Sequence, residues 1–277
     1  MKWRVGAKNG AGEALWKSTK QSEFTAAFSL YPKVIAEMIK TNTTKKPKNT
    51  AEMYLWGTKF TCMKKLRAND TWFGSEFGSA MKVNGDASKE DLKRMLQWKW
   101  ARGKYRPGTT KFTDNNRDED VRAIVKSTLQ ILAPLDSLLA SPSSSSTTTT
   151  TTEIDINAII TEAIQQATTM PQIGPASATA LLAARYPEFC PMYADEAFES
   201  IGMYREPYTL QRYCSFAEEL RNKASQLGEG WTANKVCDAL FAASKAEQLG
   251  LGGGKSSARA SSTAIEERPK KKQKAKK

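Results

Sequence analysis

The chain contains no histidine. That absence removes Ser-His-Asp and Cys-His triads and His-ligated zinc or iron sites, all of which need an imidazole. Any catalysis falls to carboxylates, lysines, tyrosines or backbone groups. Cysteine is scarce too: Cys62, Cys190, Cys214 and Cys237 are scattered without a CxxC pair, so neither a disulfide framework nor a thiolate metal cage is expected. No run of about 18 apolar residues occurs, and no basic segment followed by an apolar stretch opens the chain, which predicts a soluble intracellular protein without a membrane span. Neither a metal nor a cofactor is called for.

What is abundant is positive charge, and it is uneven. The net charge of +13 divides into 26 basic and 14 acidic side chains over residues 1–140, 7 and 13 over 141–254, and 9 and 2 over 255–277. A polyanionic partner would therefore be held mainly by the first half and the tail.

Apolar residues recur at helical spacing through most of the chain and nowhere alternate with period two, so the expected fold class is all-α. Residues 1–20 read as a poorly ordered N-terminus and 21–249 as one helical domain. Within it, helices are expected from Ser22 to Lys40 with Pro32 kinking or dividing the run, and from Ala51 to Leu66 with a turn at Trp72-Phe73-Gly74 and Phe77-Gly78. Further helices are expected from Ser88 to Gly103 and from Arg117 to Leu139, bent or ended at Pro134. Residues 141–152, nearly all Ser and Thr, form a flexible insertion, and 250–277 form a disordered basic tail. Gly252-Gly253-Gly254-Lys255-Ser256 resembles a phosphate loop but has Leu249 where the first glycine belongs, and no strand precedes it.

The most informative stretch is Met170-Pro171-Gln172-Ile173-Gly174-Pro175-Ala176. A helix with Ile156, Ile159, Ile160, Ala163, Ile164 and Ala167 on one face must stop near Pro171, and Pro175 is pre-set to begin another. The order matches the helix-hairpin-helix pattern, apolar-Pro-Gly-apolar-Gly, at four positions, with Gln172 replacing the first glycine. Such a corner offers amide N–H groups and a helix dipole to a phosphate, so Gln172, Ile173, Gly174 and Ala176 are candidate nucleic-acid contacts. An ordinary helix connection with a proline stop is the competing explanation.

A second stretch, Trp98 to Pro107, interleaves Lys99, Arg102, Lys104 and Arg106 with aromatics at a helix C-terminus. It could contact phosphates while Trp100 or Tyr105 stacks on a base or a sugar; equally, cations suit helix C-termini and the tryptophans could be core. The terminal run with Arg268, Lys270, Lys271, Lys272, Lys274, Lys276 and Lys277 looks like a nuclear-import signal, which implies an import receptor as partner and the nucleus as location.

Together, Trp98 to Pro107, Ile173 to Leu182 and Pro191 to Ala197 resemble a little-characterised eukaryotic family with a WKxxRGKxRP element and a helix-hairpin-helix. Because these elements flank the Ser/Thr tract, a single domain with an insertion is preferred. The second half is more remotely similar to helix-hairpin-helix DNA glycosylases, a resemblance that implies Asp195 as the carboxylate of a base-excision site. Ala176 stands where strand-cleaving members carry their lysine, and the clustered cysteines of the iron–sulfur members are missing, so strand cleavage by lysine is not implied. The expected function is nuclear DNA binding, with RNA as the other candidate polyanion. The alternatives are a monofunctional glycosylase-like enzyme using Asp195 and a non-catalytic nuclear adaptor.

Overall fold

A computed structural model of the chain describes residues 10–44, 50–103, 115–140, 154–203 and 209–251, those at 50–59 by their backbone alone. The described residues are helices and their connections, with no strand among them. In chain order the helices are α1 (Ala11–Lys17), α2 (Gln21–Ser29), α3 (Tyr31–Thr44), α4 (Thr50–Trp72), α5 (Gly78–Val83), α6 (Lys89–Arg102), α7 (Asp118–Leu132), α8 (Leu135–Ala140), α9 (Ile156–Ala167), α10 (Pro175–Arg185), α11 (Asp195–Ser200), α12 (Leu210–Leu227) and α13 (Ala233–Gln248).

Local sequence explains most boundaries. Pro32 divides the first run as expected: α2 ends at Ser29, and Pro32 sits in the first turn of α3, where its missing amide costs nothing. Ser88 caps α6 with a complete capping box, its hydroxyl accepting from the Asp91 amide while its own amide donates to the Asp91 carboxylate. Gly103 follows the last residue of α6. Pro134 separates α7 from α8.

Two expectations fail. Within residues 1–20, expected to be poorly ordered, Ala11–Lys17 forms helix α1. The Ala11 amide donates to Glu247 at 2.9 Å, and Gly12 lies against Ser200 and Ser244, all remote in sequence. The aromatic-glycine segment after α4 is not a turn either. Phe73–Phe77 forms one π-helical turn that carries α4 into α5 without a break. Phe73 lies flat on Trp98, ring centroids 3.8 Å apart, and Trp72 stacks on Phe77 at 4.7 Å, so the aromatics hold the chain in a helical path despite Gly74 and Gly78.

Helix α13 runs through the middle and packs against α1, α2, α3, α11 and α12. Small side chains let its neighbours approach from several sides: Ala233, Ala239, Ala242, Ala243 and Ala246 are buried together with Val236, Leu240 and Phe241. Helices α4 and α6 pair, as do α7 and α9. One hydrophobic core thus receives residues from both sides of 141–153, from Phe24 and Leu92 to Leu182 and Leu240.

A methyl group at Gly12 would lie 2.1 Å from the Ser200 hydroxyl and 2.2 Å from that of Ser244, which bond each other at 3.1 Å. Gly12→Ala is expected to destabilise by about 1–3 kcal/mol through overpacking. Thermal melts should show part of that loss recovered by adding Ser244→Ala.

Candidate functional site

Helix α9 ends at Ala167, and the chain turns before α10 begins at Pro175. Within the turn, Ile173 donates its amide to the Met170 carbonyl at 3.1 Å, closing a four-residue turn with Pro171 second and Gln172 third. Gln172 has φ of 65°, which with proline before it matches a type II turn. It is the one non-glycine among the described residues with positive φ. The residue that departs from the apolar-Pro-Gly-apolar-Gly pattern therefore occupies the left-handed position that favours glycine.

Met170 and Ile173 are buried, stapling the turn to the core, whereas Pro171, Gly174 and Pro175 are exposed. A Cβ at Gly174 would meet nothing within 4 Å, so the corner stands open to solvent there. Ala176 is half-buried. The Gly174 carbonyl accepts from Ser177 and Ala178, starting α10. Ile173 is no longer a candidate contact, since its amide is spent within the turn and its side chain lies in the core. The first-turn positions left are Gly174 and Ala176, because Pro175 has no amide hydrogen.

Three residues around the corner carried no recognisable signal in the sequence. Asn115 donates to the Gln172 side-chain oxygen at 2.7 Å, and the buried Asn116 donates to the Pro171 carbonyl at 3.1 Å. Lys89 in turn donates from Nζ to the Asn116 carbonyl at 3.2 Å. The chain just ahead of α7 is thereby pinned to the turn.

The basic element is split by the fold. Arg102, expected on the surface, is 2% exposed and pairs with Asp238 of α13 at 2.5 Å. Its guanidinium lies over the rings of Phe241 (4.3 Å), Tyr31 (5.1 Å) and Trp98 (5.5 Å). Burial alone would lower its pKa, yet the neighbouring Tyr31 and Asp238 raise it above the usual range and keep the cation charged. Burial also raises the Asp238 carboxyl, with Arg102 opposing. Beside this pair, Asp70 accepts from the Tyr31 hydroxyl at 2.7 Å and the Trp98 indole at 2.8 Å. Arg102 is therefore removed from the phosphate-binding set: its side chain is enclosed, and placing it on DNA would strip the half-buried Asp238 of its counter-charge. Trp100 is buried and unavailable for stacking on a base. Lys99 is half-buried at the end of α6. Lys104, Tyr105, Arg106 and the terminal basic run lie outside the described residues.

Asp195 is the first residue of α11, a helix of six residues, and is half-buried. The preceding loop is tied to α10, where Thr179 accepts from the Tyr193 amide at 3.0 Å. The adjacent Glu196 is engaged by Lys245 at 2.7 Å. All four cysteines are buried and free. Among the described residues no cluster of Cys, Asp and Glu is gathered to hold a metal, and no helix is long and apolar enough to cross a membrane.

No protein-family model matches this chain, and neither a curated protein nor a solved structure matches it. The function must be argued from the geometry itself.

Three measurements check the arrangement. Arg102→Met is expected to destabilise by about 1–3 kcal/mol, because the half-buried Asp238 carboxylate would lose its counter-ion and keep only the Asn234 amide, which donates to it at 3.2 Å. Denaturant titration should recover most of that loss on adding Asp238→Leu. Gln172→Gly should raise stability by about 0.5–1 kcal/mol in the same assay, strain relief at a left-handed position outweighing the glycine's extra unfolded-state freedom and the loss of an exposed hydrogen bond. Burial raises Tyr31 and Tyr213 well above the ordinary phenol value and Tyr186 to about 12. Above roughly pH 10 the unfolded chain releases these protons and the folded one keeps them, so stability present below that pH is lost as pH rises. An alkaline titration should show buried phenols ionising together with unfolding.

Proposed function

We propose that the protein binds the phosphate backbone of DNA at the corner between α9 and α10, with Gly174 and Ala176 offering first-turn amides and Gln172 beside them. Lys99, Lys104 and Arg106 supply the charge. The observation that carries this reading is the pinning of Asn115 to Gln172 and Asn116 to Pro171. Residues 104–114, which include Lys104, Arg106 and Lys111, precede that pinned pair in the sequence. The half of the chain that forms the corner is acidic overall, so in this reading the positive field comes from Lys99 and from that preceding stretch of sequence.

The open space at Gly174 supports the reading, since close approach of a phosphate needs room that a side chain would fill. The terminal run from Arg268 to Lys277 suits recognition by a nuclear import receptor and adds sequence-independent attraction for nucleic acid. The partner of the folded unit in this reading is duplex DNA in the nucleus.

Binding to a short duplex, measured across a salt series, tests the proposal. Replacing Lys99, Lys104 and Arg106 together by alanine is expected to flatten the slope of log K against log salt by about 2–3, because each phosphate contact contributes nearly one counterion. Gly174→Val should weaken binding with the slope preserved. Absence of duplex binding at low salt, or tighter binding to RNA of the same length, would overturn the assignment to DNA. Release of a free base that disappears in Asp195→Asn would replace it with the base-excision alternative.

A further inference from the structure

We draw no further inference here: the strongest candidate, the partly exposed cluster of Phe28 and Trp231 beside Lys235 at the turn between α12 and α13, has its ring faces already covered by the Lys235 ammonium at 4.8 and 5.4 Å, and nothing in the structure shows what else would cover it.

Discussion

The ion pair between Arg102 and Asp238 is the constraint around which the molecule is arranged. It joins the last residue of α6 to the middle of α13, across 136 positions of sequence, and places a full positive charge among three aromatic rings. Taking such a charge out of water costs several kcal/mol, and only a close counter-ion with further polarisable neighbours offsets it. The geometry that does so is demanding. Tyr31 must come from α3, Trp98 from one turn earlier in α6 and Phe241 from α13. Tyr31 and Trp98 are in turn oriented by Asp70 from α4. Four helices from both halves of the chain are thereby set in register by one polar centre, and α6 is made to end where Gly103 follows.

The same pattern recurs at smaller scale. The Lys223 ammonium, with the residue 7% exposed, lies over Trp16 at 4.7 Å and donates to the Ser18 carbonyl, holding α1 and its following loop to α12. Lys235 covers Trp231 and Phe28. Interleaved cations and aromatics are a common mark of nucleic-acid surfaces, because stacking and phosphate contact require both. In this fold several of them satisfy one another instead. That internal use takes Arg102, Lys223 and Lys235 out of any set of cations offered to a polyanion.

The corner itself was largely legible in the sequence, because its determinants are local: Pro171 ends one helix, Pro175 opens another, and Gly174 lies between. The start of α6 at Ser88 was legible for the same reason. The departure at Gln172 was visible as a residue and not as a conformation, since its left-handed φ follows from the turn that Met170 and Ile173 close by burying their side chains. Asn115 and Asn116 gave no warning, as their partners lie 57 and 55 residues away. Arg102 was misplaced because a cation beside a helix C-terminus reads the same whether it faces water or a remote aspartate. Helix α1 was missed because a seven-residue segment with little amphipathic pattern is stabilised by what it touches, here Glu247, Ser200 and Ser244. The glycines after Trp72 suggested a turn, yet stacking of Phe73 on Trp98 outweighed their preference.

The division of labour that follows is specific: Arg102 is consumed by the core, and in the proposed reading it is the open turn that meets DNA. A nuclear magnetic resonance titration of the isotopically labelled protein with a short DNA duplex tests it most directly, following the backbone amides of Gly174 and Ala176 together with the side-chain Nε–H of Arg102. Saturable shifts at the two amides with an unmoved Arg102 signal are the predicted result. A shifting Arg102 signal with silent amides at the turn would contradict the account.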